Sequence, residues 1–236
     1  MKSGRDHKER EELKMKKGST ELVFILDRSG SMSGLESDTI GGFNAVIREQ
    51  KKNEGDCLVT TVLFNTEEKL LHDRLKLTCV PEMTENDYRV GGCTALLDAI
   101  GHTIRHISEI HRYAREEDVP EKTLFMITTD GMENASTHFS RAEVKRLIEK
   151  KKEESGWEFI FVAANIDAEE CASSIGIDRE NAVEYQHDVA GTQLMYESMN
   201  LAAGAVRANK KLSAAPQWRE ALDKDNKKRG GRRPRR

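Results

Sequence analysis

Short apolar runs alternate with segments of helical periodicity along most of this chain, and that alternation constrains the fold more than any other feature. Leu22–Asp27, Leu58–Phe64, Leu124–Thr129 and Phe159–Ala163 are runs of strand length bounded by turn residues. Between them Ile40, Phe43, Val46 and Ile47 recur at helical spacing, as do Leu96, Leu97, Ile100, Ile104, Ile107 and Ile110 over Ala95–Tyr113. Ala142–Lys152 and Cys171–Ile175 read as further helices, Ala182–Tyr185 as a short edge strand, and Gln193–Asn209 as a closing helix with one apolar stripe. The pattern predicts an α/β fold: a Rossmann-like, doubly wound, mostly parallel sheet of about six strands, with right-handed crossovers and helices on both faces.

One connection departs from the alternation. Only Asn65–Glu68 separates Leu58–Phe64 from Lys69–Leu75, too little chain for a parallel crossover of roughly a dozen residues. Those two strands must form a hairpin, which gives the sheet one antiparallel edge strand. The polar run His72, Asp73, Arg74 fits an edge that avoids pairing with other chains.

In the strand order 3-2-1-4-5-6 the first and fourth strands are neighbours, and ligands bind beyond their carboxyl ends. Those two strands end in Asp27 and in Asp130. Asp27 opens Asp-Arg-Ser-Gly-Ser-Met, which brings the hydroxyls of Ser29 and Ser31 onto the same turn as a carboxylate. Between the two aspartates lies Gly91-Gly92-Cys93-Thr94, a flexible glycine pair with the Thr94 hydroxyl just before a helix. Taken singly, each of these residues is equally an ordinary turn or capping residue. Together they form an oxygen-rich site for a hard divalent cation, because Mg²⁺ takes about six oxygen ligands and needs only one or two carboxylates among them. Cellular availability favours Mg²⁺, with Mn²⁺ as the alternative.

At 236 residues and 37% hydrophobic content the chain suits one domain. The expected organisation is a charged lead-in over residues 1–19, the domain over 20–211, and a basic, flexible tail over 212–236 in which Pro216 stops regular structure. Lys224–Arg236 carries eight Lys/Arg and one acidic residue while the whole chain is at −3, so the body is acidic. An acidic body excludes a broad nucleic-acid face and leaves the tail as the sole candidate for such contacts. No apolar run is long enough to span a bilayer and the first residues are charged, so no membrane segment and a cytoplasmic location are expected. Cys57, Cys79, Cys93 and Cys171 show neither a C-x-x-C pair nor zinc-finger spacing, and free thiols are expected.

DRSGSM, GGCTALLDAIG and TTDGMEN resemble, in order and spacing, the three loops of the metal-ion-dependent adhesion site (MIDAS) of von Willebrand factor type A (VWA) domains. The resemblance covers about Thr20 to Lys211 and is strongest to small stand-alone bacterial members. It implies that Ser29 and Ser31 bind the cation through their hydroxyls, that Asp27 and Asp130 hold it directly or through water, and that Thr94 completes the protein shell. It also implies one coordination position open to an Asp or Glu of a partner. The chain is then a metal-dependent protein–protein interaction module and not an enzyme. The shift of the last helix on ligand binding, known in that family, maps onto Gln193–Asn209.

Two other readings compete. A phosphatase-like metal-dependent hydrolase would use Asp27 as nucleophile, but phosphatases of the haloacid dehalogenase type carry a second aspartate where Ser29 stands. A nucleic-acid-associated protein would act through the basic tail. A dinucleotide enzyme is disfavoured, because the first strand leads into Asp27 and not into G-x-G-x-x-G.

Overall fold

The first strand, β1 (Thr20–Asp27), is buried along its whole length and occupies the middle of a six-stranded sheet in a computed structural model that describes residues 18–229. The other strands are β2 (Cys57–Phe64), β3 (Glu68–Lys76), β4 (Lys122–Thr129), β5 (Glu158–Ala163) and β6 (Ala182–Glu184). Their order is β3-β2-β1-β4-β5-β6. β3 runs antiparallel to β2, and every other neighbouring pair is parallel. The order, the hairpin and the single antiparallel edge strand all match the expectation from sequence.

Among the described residues six helices cover the sheet: α1 (Glu36–Gln50), α2 (Leu96–Tyr113), α3 (Arg141–Ser155), α4 (Ala168–Ser174), α5 (Val189–Arg207) and α6 (Glu220–Lys228). Side chains alternate between the faces of a strand, and β1 shows the consequence. Leu22, Phe24 and Leu26 pack with Phe43 and Ile47 of α1 and Met195 and Met199 of α5. Val23 and Ile25 pack with Ile100 and Ile104 of α2 and Val144 and Ile148 of α3. A strand covered on both faces is apolar through its middle, which is why Leu22–Leu26 reads as a continuous run, while the buried Glu21 at its start is paired with Arg74 and His111. Each such side chain contributes about 1.5–3 kcal/mol on burial.

Helices α1 and α5 meet closely at Gly42, where a Cβ would lie 2.1 Å from the Tyr196 ring. At the far end of α5, Arg207 donates to the backbone carbonyls of Gln50, Asn53, Glu54 and Gly55. It thereby satisfies carbonyls that the end of α1 leaves without helical partners.

Two parts of the structure depart from expectation. Past residue 212 the chain is folded, not irregular: Pro216 opens a 3₁₀ turn over Pro216–Trp218, and α6 follows. Leu212, Trp218 and Leu222 all enter the core beside α5. Proline is compatible with a helical first turn, so Pro216 starts structure here and does not stop it. The lead-in up to residue 17 and the basic stretch 230–236 lie outside the described residues.

The second departure is in β3, whose pairing with β2 shifts register between Val59 and Val62 and whose Arg74 has φ 47°. A bulge of this kind re-aims side chains. His72 is turned inward, stacked on Phe43 with ring centroids 6.1 Å apart and with Nδ1 3.0 Å from Thr61 Oγ1, while Leu70 and Leu75 face outward. Burial pushes the His72 pKa down. Among the described residues no helix is long and apolar enough to cross a membrane.

Candidate metal centre

β1 ends at Asp27, beside the end of β4 and the start of the loop that carries Asp130. Asp27 is 1% exposed. Its Oδ1 accepts from the Ser29 N–H at 2.7 Å and its Oδ2 from the Thr129 hydroxyl at 2.6 Å, so both oxygens are already engaged. The Tyr88 hydroxyl donates to the Asp27 carbonyl and fixes the strand end. Burial holds the Asp27 carboxyl above the usual carboxylate range; the hydrogen bonds from Thr129 and Ser29 act in the opposite direction, and the nearby charge of Asp130 adds to the rise.

The 3₁₀ turn Gly30–Met32 follows. Ser31 donates its hydroxyl to Asp130 Oδ1 at 2.7 Å. Since the Ser31 proton is committed, Ser29 Oγ, 3.0 Å from Ser31 Oγ, is the donor of that pair. The result is a directed chain, Ser29 to Ser31 to Asp130, that crosses from one strand end to the next. Asp130 is buried, and its Oδ2 has no hydrogen-bond partner.

The Gly91–Thr94 loop joins through its backbone. Gly30 N donates to Gly92 O at 3.0 Å and Gly91 N to Arg28 O at 2.9 Å. The β2–β3 turn supports this loop from behind: Asn65 Nδ2 donates to Gly91 O, and Cys93 N donates to Thr66 Oγ1. Gly92 has φ 76°, and a Cβ there would stand 2.7 Å from Thr66 Oγ1, so glycine is required on both counts. Thr94 is buried and exchanges two hydrogen bonds with Asn134: its N–H donates to Asn134 Oδ1 at 2.9 Å, and its carbonyl accepts from Asn134 N at 3.1 Å.

Of the five residues expected at the site, Ser29, Ser31 and Asp130 are therefore joined side chain to side chain, and Asp27 is tied in through the Ser29 N–H. Thr94 is brought in by backbone contacts alone. Its hydroxyl makes no hydrogen bond to the other four.

Three functional neighbours escaped the sequence reading. Glu133 accepts from the N–H groups of Leu97, Ala135 and Ser136, so it both caps the open start of α2 and shapes the loop after Asp130. Asp98 accepts from the N–H groups of Thr137, His138 and Phe139 and holds the far side of that loop. An acid three residues beyond Asp130 and another in the first turn of α2 are the only sequence signals for these roles. His187, between β6 and α5, has none. Its Nε2 lies 3.0 Å from Asp130 Oδ2, without the alignment of a hydrogen bond, so neither atom has a hydrogen-bond partner.

Among the described residues, no group of three or more His, Cys, Asp or Glu side chains is placed to hold a metal. A cation at this centre must draw on the serine and threonine hydroxyls.

No protein-family model and no curated protein matches the sequence. Solved structures do. A PilB minor pilin from Streptococcus sanguinis superposes with TM-score 0.57 at 10% identity, over 81% of this chain and 62% of that one. Proximal thread matrix protein 1 from the mussel byssus, with a zinc-occupied MIDAS motif, superposes with TM-score 0.55 at 14% identity, over 78% of this chain and 48% of that one. A second crystal form of the byssus protein gives TM-score 0.51 at 15% identity, over 78% and 45%. The chain thus spans 62% of the pilin and about half of the byssus protein. With its sheet order, single antiparallel edge and two helical layers, this chain has the von Willebrand factor type A fold.

Proposed function

We propose that Asp27, Ser29, Ser31, Thr94 and Asp130 hold a divalent cation, and that the protein is a metal-dependent interaction module that binds an acidic side chain of a protein partner. The observation that carries this reading is the Ser29–Ser31–Asp130 chain, with oxygens 3.0 and 2.7 Å apart and the second Asp130 oxygen buried without a hydrogen-bond partner. Convergent hydroxyl and carboxylate oxygens that leave one buried acceptor unsatisfied fit a cation, and oxygen donors alone suit Mg²⁺ or Mn²⁺. Such an ion, when bound, supplies a Lewis-acid position to which a carboxylate can add.

Ser29 and Ser31 contribute neutral oxygens, and Asp130 contributes charge. Asp27, with both oxygens occupied, orders the turn and acts across a hydrogen-bonded group. Thr94 sits on a loop anchored to both neighbours. Met132, 73% exposed two residues after Asp130, offers apolar contact to a partner docking there. The hydrolase alternative gains no support, because a buried carboxylate with both oxygens accepting hydrogen bonds is poorly placed to attack a phosphoryl group.

The test is retention of the protein on arrays of Asp- and Glu-containing peptides with Mg²⁺ and with chelator, alongside Asp130→Ala. Retention should require the metal and vanish in the variant. Equal retention under chelator, or by Asp130→Ala, would refute the reading.

A further inference from the structure

Both carboxylate oxygens of Asp27 and the Oδ1 of Asp130 accept hydrogen bonds, yet Asp130 Oδ2 and His187 Nε2 face each other at 3.0 Å, both buried and both without a hydrogen bond. With the imidazole proton on Nδ1, both atoms are acceptors, and two acceptors at this distance repel unless a cation lies between them. A ring N–H bonded to the carboxylate would point along the line joining the two atoms, and it does not.

Adjacent ligands of one ion behave differently. Each directs its lone pair at the ion and not at its neighbour, and with metal–ligand distances of about 2.0–2.1 Å they lie roughly 3.0 Å apart. The Asp130–His187 separation of 3.0 Å, with no hydrogen bond across it, has that spacing.

We propose that His187 supplies an imidazole nitrogen, next to Asp130 Oδ2, to the ion of this centre, and that the site therefore prefers Zn²⁺ to Mg²⁺. The inference rests on the cation-binding reading above and narrows the class of metal. Imidazole suits Zn²⁺, whereas Mg²⁺ is served by oxygens. His187 reaches the centre from the segment between β6 and α5, which belongs to none of the three loops that supply the oxygens.

The experiment is calorimetric titration of the full chain with Zn²⁺ and, separately, with Mg²⁺, for the wild type, His187→Ala and Asp130→Ala. His106→Ala, which removes an exposed imidazole on α2, controls for surface binding. His187→Ala should weaken Zn²⁺ binding by at least about tenfold, the lower end of what even outer-shell partners contribute, with Mg²⁺ affinity unchanged and His106→Ala silent. If His187→Ala weakens both metals equally, or neither, the histidine is not a ligand and this proposal falls while the site stands. If the wild type binds neither metal, the cation-binding reading falls with it.

Discussion

Thr129→Val removes one hydroxyl from a buried position and keeps the side-chain shape, so its effect reports chiefly the 2.6 Å hydrogen bond to Asp27 Oδ2, beside longer contacts of the same hydroxyl with Gly131 O at 3.2 Å and Gly131 N at 3.4 Å. That bond is 2.6 Å long and its acceptor is a carboxylate 1% exposed to solvent. A hydrogen bond to a charged group contributes about 1.5–3 kcal/mol, and leaving the buried acceptor unmatched places the loss at the upper end. The loss depends on pH with a definite sign. Burial already raises the Asp27 pKa, and the Thr129 hydroxyl is the largest influence opposing that rise. The native state therefore holds the Asp27 proton to higher pH than the unfolded chain does, and stability falls as pH rises through the folded pKa and then levels off. Removing Thr129's hydroxyl moves the folded pKa higher still. The variant's deficit should be largest at about pH 7.5, at about 3 kcal/mol, and should shrink toward about 1 kcal/mol in acid, where a neutral carboxyl loses only an ordinary hydrogen bond. Urea unfolding followed by circular dichroism across pH, without divalent metal, measures this. A deficit under about 0.5 kcal/mol at neutral pH, below the range for ordinary hydrogen bonds, or one that does not vary with pH, would refute the reasoning.

The remaining expectations concern the loops and the folded extension. Gly92→Ala should cost about 1–2 kcal/mol from its positive φ and, by displacing Thr66, should also weaken metal binding; chemical denaturation and calorimetry on the same sample check both. Trp218→Ala should destabilise the whole domain by about 3–5 kcal/mol, as expected of a buried aromatic, with one cooperative transition in thermal unfolding; an unchanged midpoint would mean that the segment is not part of the core. Mg²⁺ affinity should fall on acidification at a pH above that at which an ordinary aspartate titrates, because the raised Asp27 pKa lets protons compete earlier; calorimetry at about pH 5 and pH 7.5 decides it.

Most of the fold was legible because strand and helix periods are strong where elements are long and buried on defined faces. The β1 and β4 runs, the hairpin forced by Asn65–Glu68 and the stripe on α5 are of this kind. The folded segment after residue 212 was not legible, because Leu212, Trp218 and Leu222 are spread over two 3₁₀ turns and a polar helix with no common period. His72 was misread for a different reason: a bulge in β3 shifts which residues face inward, and a strand's alternation says nothing about bulges. At the centre, the oxygen-bearing turns were visible because they sit at strand ends and a helix start. His187 was invisible because no spacing rule connects it to Asp130, and only the sheet brings them together.

Arg207 gives α5 a fixed foot. Four carbonyls from the end of α1 and its following loop grip one guanidinium, at the opposite end of the helix from Asp130 and His187. A rod held that way cannot slide along its axis without breaking all four bonds. A rearrangement that a bound partner drove through the β6–α5 segment would therefore emerge as a tilt about Arg207, with displacement greatest beside Asp130 and His187 and vanishing near Gly55.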